Sequence, residues 1–176
     1  MAQPKQGLIL PGNFIPLFEK SELIVKLDRY MFEHACRWYR SHLEQGGRPV
    51  SLAVNVSKAG LFQNDFVDYY TDIKAKYSIP DRVMELEFTE SILAADTELF
   101  AELVVNLNAR GFICSLDDFG SGYSSLNLLK NLPIDVLKLD KSMIDNISSN
   151  PKTKAVVESI SEICTKLGNR YGGRGD

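Results

Sequence analysis

The residues of this chain that could do chemistry are acidic and amide side chains near the ends of apolar segments. Asp117 and Asp118 close one such segment, and a glycine-spaced, serine-rich turn follows them. Asn55, Glu87 and Lys138 stand near the ends of three others. Carboxylates that are buried together repel, and each shifts toward its protonated form unless a cation neutralises them. Such oxygen ligands favour Mg²⁺, Mn²⁺ or Ca²⁺, whereas zinc is less favoured without Cys or His among them.

The apolar segments that carry these residues alternate with helical patterns. Strands are predicted within VSLAVNVS, RVMELEFTES, FICSLDD and DVLKLDKS, which begin roughly every 30 residues, as in repeated βα units with a parallel sheet. A helix is predicted after each strand, including a short one in SSLNLLKNLP. A long amphipathic helix precedes the first strand, and its predicted apolar face contains Leu23, Leu27, Tyr30, His34 and Trp38.

The polar residues of each predicted strand fall on one of its two faces, because side chains alternate along a strand. Glu85 and Glu87 share a face, with Leu86 and Phe88 opposite. The other strands place Asn55, Asp117 and Lys138 on the corresponding polar face. Helices cover the apolar face, so the polar face is predicted to line the lumen of a barrel, whose carboxyl-terminal mouth is where active sites of (β/α)₈ barrels lie.

Bulk composition excludes several classes of protein. The chain has 176 residues and a formal net charge of −3, which is not the basic character of a protein that binds nucleic-acid polymers or anionic membranes. No apolar run is long enough for direct membrane insertion. The three cysteines are interpreted as small buried side chains in a reducing compartment, and we expect a cytoplasmic domain, whose parent protein could be membrane-anchored.

Four motifs in order resemble those of the EAL family, the bacterial signalling enzymes that hydrolyse cyclic di-GMP. They are NVS, ELEFTES, DDFGSGYSSL and LPIDVLKLDKSMI, and GLILPGNFIPLFEKSELI resembles the segment after the family's first strand. The resemblance covers residues 7–168. It implies a TIM-type (β/α)₈ barrel, here incomplete, with about four parallel strands, and metal-dependent opening of cyclic di-GMP to the linear dinucleotide by a phosphodiesterase.

The resemblance also implies roles for individual residues around two Mg²⁺ or Mn²⁺ ions. Asn55, Glu87, Asp117 and Asp118 would be metal ligands, and Asp117 and Lys138 would be catalytic. Glu90 would anchor a substrate loop that contains Phe119, Gly120, Ser121, Gly122 and Tyr123.

Two family glutamates are not found in this sequence. The Glu-Ala-Leu strand would precede the GLILPGNFIP segment, and Arg174 stands where a later catalytic glutamate is expected. We therefore expect a partial EAL domain over residues 1–168 and a non-family tail over 169–176, in which NRYGGRGD is too rich in glycine and charge for a buried strand. In this chain the family's two ions could be reduced to one or none.

Three functional hypotheses stay open on the sequence. The chain could represent a phosphodiesterase, a catalytically inactive module that binds nucleotide or a protein partner, or a fragment of an active parent. Because both edges of the predicted sheet would lack a neighbour, and bare edges pair with other chains, we also expect a homo-oligomer.

Overall fold

The chain begins with a short hairpin and two helices. The computed structural model describes residues 2–3, 7–21, 23–93, 96–121, 132–145, 147–167 and 170–173. Strands β1 (Ala2–Gln3) and β2 (Gly7–Leu8) pair antiparallel. Helix α1 (Pro11–Lys20) opens with a proline, which suits a first helical turn because its missing N–H has no intrahelical partner there. Helix α2 (Leu23–Glu44) follows.

A five-stranded parallel sheet forms the centre of the fold. Its strands are neighbours in chain order: β3 (Leu52–Val56), β4 (Met84–Thr89), β5 (Ile113–Phe119), β6 (Val136–Leu139) and β7 (Arg170–Gly173). The first four are the strands predicted from the sequence. This order is that of a (β/α)₈ barrel, so the predicted incomplete TIM-type fold is confirmed, with one strand more than expected.

Helices follow β3, β4 and β6 in the described part of the chain. They are α3 (Lys58–Leu61), α4 (Phe66–Lys76), α5 (Thr97–Ala109), α6 (Lys141–Ile144) and α7 (Pro151–Leu167), with a 3₁₀ turn at Glu90–Ile92. Asp96 caps α5 by accepting the N–H of Leu99 at 3.0 Å. The helix predicted after β5 falls almost entirely on residues outside the described part. Among the described helices, none combines the length and apolar character needed to cross a bilayer.

The fifth strand corrects one prediction from the sequence. Arg170–Gly173 pairs in parallel with β6, with Lys138 opposite Gly172. Hydropathy argued against a strand here, but backbone pairing to an existing strand needs no apolar side chain. The expectation that β6 would be a bare edge is therefore wrong, whereas β3 pairs with one neighbour, β4, among the described strands.

The hydrophobic core lies between the sheet and the helices. Leu86 and Phe88 of β4 are fully buried, and Phe88 packs edge-on against Phe100 of α5 at 5.3 Å between ring centroids. Burying a side chain of this size contributes about 1.5–3 kcal/mol. The three cysteines are free and buried, as the sequence predicts. Burial raises the pKa of the Cys36 thiol to about 12, so this group behaves as a small apolar side chain.

Helix α2 faces the core with a different stripe from the one predicted. Trp38 and Tyr30 are 47% and 60% exposed. The buried residues are instead Ile24, Asp28, Phe32, Cys36 and Tyr39. The predicted stripe is wrong because hydropathy alone prefers a face with Trp and Tyr over one that contains an aspartate.

Candidate functional site

The polar residues of the sheet lie on the face opposite the core. In the parallel register Asn55 is opposite Glu87, Glu87 is opposite Ser115, and Ser115 is opposite Val136. Glu87 is 8% exposed and Ser115 is fully buried, whereas Asn55 on the edge strand is exposed. One row of the polar face therefore crosses four strands, as the alternation of side chains predicts.

A bulge at the end of β5 turns two consecutive aspartates to the same side. Leu116 pairs with Leu137 and Phe119 pairs with Leu139, so Asp117 and Asp118 together stand opposite a single residue of β6. Leu116 and Phe119 both belong to the hydrophobic core, although they are three positions apart and a regular strand would place them on opposite faces. Both aspartates are consequently left on the polar side.

The backbone of the bulge is held by hydrogen bonds. Asp118 has a φ of 57°, in the left-handed region that non-glycine residues seldom adopt. Its N–H donates to Oδ1 of Asp117 at 3.0 Å, and its carbonyl accepts the N–H of Ser121 at 3.2 Å. Beyond it, the carbonyl of Phe119 accepts the N–H of Asp140 at 3.0 Å. These contacts fix the end of β5, where Asp117 is 2% exposed.

Lys138 of β6 reaches across the polar face to β4. Its Nζ lies 2.7 Å from Oε1 of Glu85 and also donates to Oε1 of Glu87. Partial burial acts to lower the pKa of Lys138, but the hydrogen bonds to the two glutamates outweigh it, and the pKa lies above its ordinary value. Lys138 is therefore a cation that two carboxylates hold in place.

Glu90 contacts the turn that leaves the bulge. Its Oε2 accepts the N–H of Gly120 at 2.8 Å, and Glu90 is 6% exposed. Gly120 has a φ of 92°, and a Cβ atom there would overlap Sδ of Met143 on α6. The turn thus needs glycine for two reasons, its backbone conformation and its close approach to α6. The family resemblance predicts a contact between Glu90 and this loop, and the structure shows one. The role of Glu90 as the anchor of a substrate loop stays a prediction.

The other residues of the predicted substrate loop have different positions. Phe119 is the last residue of β5 and is 3% exposed in the core. Ser121 is exposed. Gly122 and Tyr123 lie outside the described residues, so their predicted role is unchanged.

Two acidic residues near the site were not among the predicted ones. Glu85 shares the polar face with Glu87, and strand alternation alone was signal enough to find it. Asp28 lies on α2 and contacts Ser57, the residue just after β3. Oδ2 of Asp28 accepts the N–H of Ser57 at 3.0 Å and the hydroxyl of Ser57 at 2.5 Å. Nothing in the local sequence of α2 marks Asp28, because its partner is 29 positions away.

The donor set fits a hard divalent cation, but its members are not gathered around one point. Carboxylate and amide oxygens are the ligands that Mg²⁺ and Mn²⁺ accept. Within the described ranges, no three Asp, Glu, His or Cys side chains are close enough to hold a metal ion together. Glu87 is engaged by Lys138, so a cation at Glu87 requires the ammonium to move aside.

Comparison with known proteins identifies relatives of most of this chain. Residues 1–170 match the model of the family described as EAL domain. The bifunctional diguanylate cyclase/cyclic di-GMP phosphodiesterase MucR of Pseudomonas aeruginosa is 36% identical over 157 residues, covering 89% of this chain and 23% of that protein. The cyclic di-GMP phosphodiesterase NbdA of the same organism is 34% identical, covering 93% of this chain and 21% of that protein. The chain thus spans about a quarter of the length of these relatives.

Solved structures extend the likeness to three dimensions. The MucR phosphodiesterase in a c-di-GMP complex superposes with a TM-score of 0.89 at 34% identity, covering 99% of this chain and 71% of that one. The EAL domain of DcpA from Mycobacterium smegmatis superposes with a TM-score of 0.78 at 32% identity, covering 85% of this chain and 67% of that one.

Proposed function

The chain belongs to the EAL domain family, and we propose that its polar sheet face is the metal and substrate site of a cyclic di-GMP phosphodiesterase domain. The reaction is hydrolysis of one phosphodiester bond, which opens the cyclic dinucleotide to its linear form. The observation that carries the proposal is the β5 bulge, since it turns Asp117 and Asp118 to the side that already holds Glu87 and Lys138. Relatives at 34–36% identity that are named cyclic di-GMP phosphodiesterases support the substrate class.

Four side chains are the proposed metal ligands. Asn55 and Glu87, opposite each other on β3 and β4, would hold one Mg²⁺ or Mn²⁺ ion. Asp117 would lie between this ion and a second one, which Asp118 would bind. Divalent ions in such a site polarise a phosphodiester and lower the pKa of a bound water.

Lys138 is proposed to act as a positive charge beside the metal ligands. The ammonium is protonated at neutral pH, and the contacts with the two glutamates raise its pKa further, so it is suited to neutralise negative charge that develops on a phosphoryl oxygen. Oε1 of Glu85 lies 2.7 Å from Nζ of Lys138, so Glu85 would keep Lys138 near the site if Glu87 bound a metal ion. In a chain of net charge −3, metal ions bound at this face would also attract an anionic dinucleotide.

The turn after β5 is proposed to be the substrate loop, with Glu90 as its anchor. The carboxylate of Glu90 accepts the N–H of Gly120 two residues after Asp118. Holding this N–H fixes the exit of the chain from the bulge, and with it the direction of the residues that follow.

Metal titration tests the proposed ligands directly. We expect Asp117→Asn to weaken Mn²⁺ binding by at least tenfold in calorimetry, because a ligand loses its charge. The matched control is Asp135→Asn. Asp135 is a partly buried carboxylate, which accepts the N–H of Cys114 at 2.8 Å and pairs with Arg82 at 2.6 Å, but it precedes β6 at the opposite end of the sheet. Equal Mn²⁺ affinity for Asp117→Asn and the parent chain would contradict the metal site.

Hydrolysis is tested by incubating the protein with cyclic di-GMP. Chromatography of cyclic di-GMP incubated with Mn²⁺ should show the linear dinucleotide, and Asp117→Asn should abolish it. Binding of cyclic di-GMP with no linear product would contradict the phosphodiesterase and leave a nucleotide-binding domain.

A further inference from the structure

Asp28 is the one charged residue on the buried face of α2. The other members of this face are Ile24, Phe32, Cys36 and Tyr39, and Asp28 itself is 7% exposed. A buried carboxylate costs free energy unless hydrogen bonds replace its water. Burial raises the pKa of Asp28, and the two hydrogen bonds from Ser57 offset part of that rise. A core position so unfavourable for an acid suggests a role beyond packing.

The contacts of Asp28 converge on the turn between β3 and α3. Its Oδ2 accepts both the N–H and the hydroxyl of Ser57, at 3.0 and 2.5 Å. Ser57 is the N-cap of α3, where its Oγ accepts the N–H of Gly60 at 3.0 Å. Gly60 fits closely over the carboxylate, since a Cβ atom there would lie 2.6 Å from Oδ2 of Asp28. One carboxylate oxygen therefore organises the whole turn.

This turn begins two residues after Asn55. Strand β3 is paired with β4 and, among the described strands, with no other. Asn55 itself is exposed, so packing restrains it less than it restrains Glu87 or Asp117. The direction of the chain at Asn55 thus depends on the register with β4 on one side and on the Asp28–Ser57 contact just beyond it.

We propose that Asp28 is a positioning residue for the metal site, which holds Asn55 in place through Ser57. The proposal rests on the proposed function, because it takes Asn55 as a metal ligand. Residues that orient metal ligands from outside the coordination sphere typically change metal affinity about 10–100-fold when they are replaced. A carboxylate that served only the stability of the fold would change the free energy of unfolding and leave metal affinity unchanged.

A double-mutant cycle on Mn²⁺ affinity separates these roles. Calorimetry would compare the parent chain with Asp28→Ala, Asn55→Ala and the double variant. We expect Asp28→Ala to weaken Mn²⁺ binding about tenfold and to have no further effect when Asn55 is already alanine. Asp28→Asn keeps an oxygen acceptor for Ser57, so it should recover most of the affinity. Asp135→Ala is the matched control, since it should lower stability without changing Mn²⁺ affinity.

The outcomes are distinguishable. If Asn55→Ala leaves Mn²⁺ affinity unchanged, Asn55 is not a metal ligand. The proposed metal site is then wrong at this position, and the positioning role of Asp28 is refuted together with it. If Asn55→Ala weakens binding but Asp28→Ala does not, or if the two effects add, the positioning role of Asp28 is refuted while the metal site stands. Should Asp28→Ala not fold, Asp28→Ser takes its place in the cycle, because the shorter side chain withdraws the carboxylate from Ser57 and leaves the bond between Ser57 Oγ and the N–H of Gly60 in place.

Discussion

Gly120 offers a test of how the turn after the bulge is built. At a φ of 92° a Cβ atom is strained whatever the surrounding space, and in this structure it would also overlap Sδ of Met143. The first effect costs an L-residue roughly 1–2 kcal/mol. The second is an overpacking cost, typically about 1–3 kcal/mol, and it falls at the low end here because Met143 is flexible and partly exposed. Gly120→Ala should therefore lower the free energy of unfolding by roughly 2–3 kcal/mol.

Gly46 is the matched control for the backbone part of this cost. It has a φ of 82°, and nothing lies within 4 Å of a Cβ atom built there. Gly46→Ala should cost roughly 1–2 kcal/mol from conformation alone. In a Met143→Ala background the overlapping sulfur is absent. Gly120→Ala should then lower the free energy of unfolding by the same amount as Gly46→Ala does in the parent chain.

Urea unfolding followed by circular dichroism measures all five chains. If Gly120→Ala costs no more than Gly46→Ala, the close approach to α6 is not a constraint. If Met143→Ala does not relieve Gly120→Ala, the overlap has been assigned to the wrong side chain. Either result would refute the geometry of the turn as described.

Three further predictions follow from other contacts. Glu85→Gln should cost about 1.5–3 kcal/mol at neutral pH, because it removes one partner of Lys138. Because the pKa of Lys138 is raised in the folded protein, this stabilisation is present below the ordinary pKa of lysine and is lost as pH rises through the folded pKa. In urea titrations at alkaline pH, the difference in unfolding free energy between Glu85→Gln and the parent chain should therefore become smaller. A difference that does not depend on pH would contradict this prediction. Burial raises the pKa of Asp28, so the parent chain should lose stability relative to Asp28→Asn as pH rises from the ordinary pKa of an aspartate, about 4, through the raised folded pKa. Thermal melts that show the same stability difference at every pH would exclude a buried titrating acid. The chain should associate in light scattering at micromolar concentration through the β3 edge and the exposed Tyr30 and Trp38, and a cooperatively melting monomer would show that these surfaces need no partner.

The sequence by itself determined which residues could form the site. Alternation along each strand is a local property, so it placed Asn55, Glu87, Asp117 and Lys138 on one face before any partner strand was known. Helix caps such as Asp96 are equally local, since the bond spans three residues. The motifs that resemble the EAL family indicated the family for the same reason, because they are short and contiguous.

The tertiary structure decided features whose partners are distant in the chain. The left-handed backbone at Asp118 occurs between Leu116 and Phe119, which both enter the core although a regular strand would place them on opposite faces. Strand β7 forms on the edge that β6 offers, and its own composition argued against it. The buried face of α2 was misjudged because Asp28 appears unfavourable there until Ser57, 29 positions away, supplies two hydrogen bonds. Hydropathy measures how each residue interacts with water, whereas its place in the fold depends on neighbours that are close only in the folded protein.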